Sequence, residues 1–144
     1  DLHSFPTRRS SDLVQRATGD PEWRKAASDW FAEHIDDARV GAFVVDLNGE
    51  VVACAVGVIR EGIPSPGLPS GTDVAISTVC TRPRARGRGY ARAASGAVLR
   101  WARAQGAGRA ELMATRSGRH LYESLGFEDA DCPAMRARLT PSDD

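Results

Sequence analysis

Residues 83–91 read Pro83-Arg84-Ala85-Arg86-Gly87-Arg88-Gly89-Tyr90-Ala91, an arginine- and glycine-rich turn set between a β-rich segment and a helical one. Before it, Thr72 to Thr81 is rich in β-branched residues and stops at Pro83, which cannot donate to a ladder. After it, Tyr90, Ala93, Ala94, Ala97, Val98, Trp101 and Ala102 recur at helical spacing, predicting a helix from about Gly89 to Gln105. A strand leading through a tight turn into a helix requires a crossover back to a parallel strand, for which Arg109 to Thr115 is the candidate. The turn itself has anion-binding chemistry. Its glycines let backbone approach a ligand, the first N–H groups of the helix lack intrahelical partners, and the arginines add charge-assisted donors.

The rest of the chain fits around that unit. Apolar residues from Pro21 to about Asp37, including Trp23 and Trp30 seven apart, predict an amphipathic helix with Asp20 as cap and the tryptophans in a core or interface. Val40 to Leu47 and Val51 to Ile59 flank Asn48-Gly49, the pair a type I′ hairpin turn favours because both central residues need positive φ. Gly62 to Gly71 holds three prolines and three glycines, so it reads as a loop, expected to lie over a cleft. Gly118 to Leu125 reads as a short helix and Ala134 to Leu139 as a last strand. The predicted fold class is α/β, an α+β mixed sheet flanked by helices.

At 144 residues the chain suits one domain. Lysine plus arginine equals aspartate plus glutamate at 19 each, so no overall field draws it toward nucleic acid. Aromatic side chains for stacking on bases are also sparse in the arginine turn, where Tyr90 stands alone. Neither a nucleic acid nor a membrane is an expected partner. Cys54, Cys80 and Cys132 lack the spacing of a zinc or redox motif, which predicts no metal and suits a reducing cytoplasm. The tract from Ser4 to Leu13 resembles the in-frame translation of a DNA-sequencing adapter. Residues 1–13 are therefore expected to be a non-native tail, and 14–144 a single domain.

Two motifs carry a family resemblance. Arg86-Gly87-Arg88-Gly89-Tyr90-Ala91 resembles motif A of the GNAT acetyltransferase superfamily, an Arg/Gln-x-x-Gly-x-Gly/Ala pattern, led in by Thr81-Arg82-Pro83. About 30 residues on, Leu121-Tyr122-Glu123-Ser124-Leu125-Gly126-Phe127 resembles the family's Leu-Tyr-x-x-x-Gly-Phe signature. The resemblance spans roughly Val40 to Leu139. It implies the GNAT acyl-CoA N-acyltransferase fold, with acetyl-CoA held in a V-shaped opening between the family's fourth and fifth strands and its acetyl group passed to an amine acceptor. Against that pattern the family's first strand and first helix are missing here, leaving a sheet edge open to pairing with a second copy as a homodimer.

The resemblance also implies roles. Backbone N–H groups of Arg86, Gly87, Arg88, Gly89, Tyr90 and Ala91 would hold the pyrophosphate, and Arg84 would reach the 3′-phosphate. Val79, Cys80 and Thr81 would pair with the pantetheine arm, with the Val79 N–H facing the thioester oxygen. Tyr122 would protonate the departing thiolate, a role that suits a phenol protonated at neutral pH. Thr115 stands where the family often has a coenzyme-contacting asparagine. No motif fixes a general base, for which Asp73, Ser77 and Glu111 are the candidates. Two other readings follow from the same residues: a GNAT-like acyl-CoA-binding regulator without catalysis, and a nucleic-acid module using Arg82, Arg84, Arg86, Arg88 and Arg92.

Overall fold

The computed structural model of the chain describes residues 21–139. The adapter-like tract and Asp20 lie outside them. Helix α1 spans Pro21–His34 and is followed by strands β1 (Val40–Leu47), β2 (Glu50–Glu61) and β3 (Thr72–Thr81). A 3₁₀ turn at Pro83–Ala85 leads to helix α2 (Tyr90–Ala104), strand β4 (Arg109–Glu111) and the short helix α3 (Arg119–Glu123). The four strands form one sheet in sequence order, antiparallel across β1, β2 and β3 and parallel between β3 and β4.

The Asn48-Gly49 hairpin forms as its sequence predicts. Asn48 and Gly49 have φ of 54° and 86°, Leu47 pairs with Glu50, and the Asp46 carboxylate accepts from the Gly49 N–H at 2.7 Å. α2 lies on one face of the sheet, its stripe of Ala94, Val98 and Ala102 at helical spacing buried against Ala53, Ala55, Ile59, Val74 and Ile76. Burying a side chain such as Val98, fully enclosed here, contributes about 1.5–3 kcal/mol. Close approach of helix to sheet depends on Gly41. A Cβ placed there would meet the Trp101 ring at 2.5 Å, so the indole lies directly against β1 backbone.

Several expectations are corrected. Ala134 to Leu139 forms no strand; Met135 and Leu139 are almost wholly exposed, because no neighbouring strand offers them a ladder. β4 stops at Glu111 rather than Thr115. Of the core or interface expected for Trp30, the core is excluded: it is 37% exposed and stacks on His34 at 4.4 Å, one turn along α1. The 62–71 loop buries Leu68 and closes on itself, with the Gly62 N–H bonded to the Gly71 carbonyl at 2.8 Å. It packs beside Gly108, at the end of the sheet where α2 finishes, not over the arginine turn at the other end of β3. No helix among the described residues is long and apolar enough to cross a membrane.

Candidate active site

The site begins where β3 parts from β4. Only Asp73, Val74 and Ala75 pair with Arg109, Ala110 and Glu111; beyond them β3 continues for six residues with no partner on that side among the described residues. Within this free stretch the β2–β3 register slips. Val56 pairs with Ser77 but Cys54 with Cys80, so one extra residue bulges from β3, and Thr78 takes a φ of 52°. A β-branched residue in that left-handed region is strained by roughly 1–3 kcal/mol.

The bulge decides which backbone groups face outward. The Arg82 N–H donates to the Val52 carbonyl at 2.8 Å, so Arg82, and by alternation Cys80, turn their N–H toward β2. Val79 and Thr81 therefore present theirs to the opposite edge, where β4 has ended. The Val79 side chain packs on the core beneath α2, while Cys80 points to the other face.

Past Thr81 the chain is pinned and then opens. Ala85 is buried in the core, and its N–H donates to the Arg82 carbonyl at 2.9 Å. Gly87 and Gly89 follow with φ of 75° and 80°, and no atom outside the turn would contact a Cβ on either. Gly89 is the N-cap of α2, and no side chain caps that end, so the first-turn N–H groups from Tyr90 point into open space. Among the described residues Arg86 and Arg88 have no ion-pair partner, whereas Arg84 and Arg82 both pair with Glu50. Arg82 also donates to the Val51 carbonyl at 2.8 Å. Arg84 is thus held against the hairpin rather than left to reach a ligand.

Tyr122 lies on α3, which is held next to α2. Arg92, in the first turns of α2, donates to the Ser124 hydroxyl at 3.1 Å and to its carbonyl, fastening α3 beside the start of α2. No local pattern signals this clamp, because it joins residues 32 apart. Tyr122 is half-buried, meets Phe127 edge to face at 5.9 Å, and has its phenol pushed above the usual value by desolvation. Thr115 serves the helix: its hydroxyl accepts from the Gly118 N–H at 3.1 Å and shares a hydrogen with Ser117.

The candidate bases divide. Asp73 and Glu111 sit at the closed end of the β3–β4 wedge, bound by Arg60 and Arg109. Ser77 lies on the free part of β3 and is exposed. An unpaired strand edge with outward N–H groups, an uncapped helix start and two arginines without an ion-pair partner among the described residues thus follow one another along the chain.

The model of the acetyltransferase (GNAT) family matches residues 8–127, and the chain belongs to that family. Among solved structures it is similar to a GCN5-related N-acetyltransferase from Ralstonia eutropha, with TM-score 0.78 and 21% identity over 95% of this chain and 99% of that one. A predicted acetyltransferase from Clostridium acetobutylicum, solved with acetyl-CoA, superposes with TM-score 0.75 at 20% identity over 92% and 85%. Glucosamine-6-phosphate N-acetyltransferase from Arabidopsis thaliana gives 0.71 at 15% identity over 90% and 89%. No curated protein matches the chain by sequence.

Proposed function

We propose that the protein is an N-acetyltransferase that moves the acetyl group of acetyl-CoA to a primary amine by direct attack in a ternary complex. One observation carries the reading: the free edge of β3 with its bulge at Thr78 runs straight into an uncapped, glycine-opened helix start. The N–H groups from Gly87 to Ala91 bind the diphosphate, aided by the helix dipole and by the Arg86 and Arg88 side chains; the Arg86 N–H itself donates to the Pro83 carbonyl at 3.4 Å and is not among them. Val79, Cys80 and Thr81 supply the backbone along which the pantetheine arm lies, and the outward N–H of Val79 stabilises the oxyanion that develops on the thioester carbonyl. Tyr122 donates its proton to the departing thiolate. A raised phenol pKa keeps that proton in place at neutral pH, and it supports the acid role. Thr115 orients α3 and so positions Tyr122.

Holding amine and thioester together supplies much of the acceleration. The test is calorimetry with acetyl-CoA followed by thiol release across an amine library. Binding with acceptor-dependent release is expected; binding with no release for any amine would leave a regulator, and no binding would overturn the assignment.

A further inference from the structure

Cys54 and Cys80 face each other across β2 and β3, on the side of the sheet away from α2. They occupy a hydrogen-bonded antiparallel pair, in which Cα atoms stand about 5.5 Å apart, inside the range that a disulfide spans without moving backbone. Their sulfurs are 3.3 Å apart, and the Cys54 S–H also reaches the carbonyl of bulged Thr78 at 3.4 Å. The two thiols differ in access. Cys54 is fully enclosed, whereas Cys80 is partly exposed.

We propose that Cys80 and Cys54 form a reversible dithiol/disulfide site for small disulfides, with Cys80 making the first attack and Cys54 closing the bridge. The Cys80 thiolate attacks one sulfur of a disulfide R–S–S–R; the Cys80–S–R bond forms and RS⁻ departs. Cys54 then attacks the Cys80 sulfur, the Cys54–Cys80 bond forms, and the second RS⁻ leaves. The protons of the two cysteines end on the two released thiols. The protein loses two electrons and the small disulfide gains them.

Local chemistry supports the order of attack. The Cys80 thiol is pulled below its ordinary value, first by the Cys54 hydrogen bond and then by Arg82, two residues along the same strand face, and burial opposes both. Cys54 is pushed up, by that same contact and by burial. The thiolate therefore forms on the sulfur that solvent can reach. Exposed Cys132 has no second cysteine in contact and should stop at a mixed disulfide. This inference does not depend on acetyl transfer.

The test incubates the reduced full chain with glutathione disulfide in one arm and coenzyme A disulfide in another, then quenches with an alkylating agent and maps peptides by mass. The expected product is a peptide pair joined through Cys54 and Cys80, two hydrogens lighter than the reduced form and restored by dithiothreitol. Equal rates in the two arms identify a general small-disulfide site; a faster, saturating reaction in the second identifies coenzyme A disulfide as its reagent. Cys54→Ser should trap the mixed disulfide on Cys80. Alkylation of Cys54 and Cys80 at full yield in the wild type, while Cys132 carries the mixed disulfide, overturns the proposal whether or not the variant folds.

Discussion

The carboxylate of Asp73 is held by Arg60 through two parallel hydrogen bonds of 2.8 Å each, one to either oxygen. Arg109 adds a third at 3.1 Å, and both arginines also reach Glu111. Because Asp73 pairs with Arg109 in the β3–β4 ladder, this cluster joins three strands at the point where the wedge closes. A carboxylate so committed anchors the sheet and is poorly suited to accept a proton from an amine.

That contact sets an acid limb of stability. Hydrogen bonding from Arg60 holds the Asp73 carboxyl below its ordinary value, burial works against it, and Arg109 reinforces it. The folded pKa lies below the unfolded one of about 3.9, so the stabilisation is complete above roughly pH 4–5 and is lost as pH falls through the folded value. Asp73→Asn should cost about 1–3 kcal/mol at neutral pH, the arginines being half exposed. Urea unfolding of both proteins at pH 7 and pH 3 checks this: the gap should shrink in acid, and a constant gap would refute the link.

Gly41→Ala should destabilise by about 1–3 kcal/mol, since the new Cβ would stand 2.5 Å from a ring carbon of Trp101. A lowered denaturation midpoint with an unchanged slope is the expected record. If the midpoint held, the indole would not be seated on β1 as described.

Tyr122→Phe should lower kcat by roughly 100-fold or more while acetyl-CoA affinity stays within about twofold, because a general acid acts on the leaving group rather than on binding. Turnover from thiol release and Kd from calorimetry separate the two. Unchanged turnover would remove Tyr122 from the chemistry.

Gly89→Val should abolish coenzyme binding. A φ of 80° is strained for a β-branched side chain, so the helix start must rearrange or carry about 1–3 kcal/mol. Circular dichroism distinguishes a folded chain that no longer binds from an unfolded one. A folded variant with wild-type affinity would show that the diphosphate sits elsewhere.

Arg86→Gln should weaken acetyl-CoA binding by about tenfold, the value of one charge-assisted hydrogen bond, and Arg84→Gln should leave it unchanged. The difference lies in Glu50, which engages Arg84 but not Arg86. Equal losses in the two variants would mean that the Arg84–Glu50 pair opens for the ligand.

Local signals proved the most legible in the sequence. Asn48-Gly49 fixed its own turn because the conformation it needs is written in two residues, and β1 (Val40–Leu47) and β3 (Thr72–Thr81) keep the bounds expected from the sequence. Gly89 marked the start of α2 for the same reason. What stayed hidden depends on partners distant along the chain. The bulge at Thr78 exists only relative to β2, and with it the meeting of Cys54 and Cys80, which no spacing rule would pair. Asp73 is one of three candidate bases in the sequence, yet its role is set by Arg60 and Arg109, 13 and 36 residues away. At Ala134 to Leu139 the pattern of a strand was present, but a strand requires a neighbour.

The three-residue ladder between β3 and β4 has one more implication. Every further rung between Leu112 and Met113 on one side and Ile76 and Ser77 on the other would narrow the gap in which the proposed thioester lies, so that gap exists because hydrogen bonding is halted there. Substitutions that extend β4 by favouring extended backbone at 112–115 would gain sheet and, under the proposed function, forfeit acetyl transfer. Screens that select only for thermal tolerance would therefore tend to close that gap against the proposed ligand.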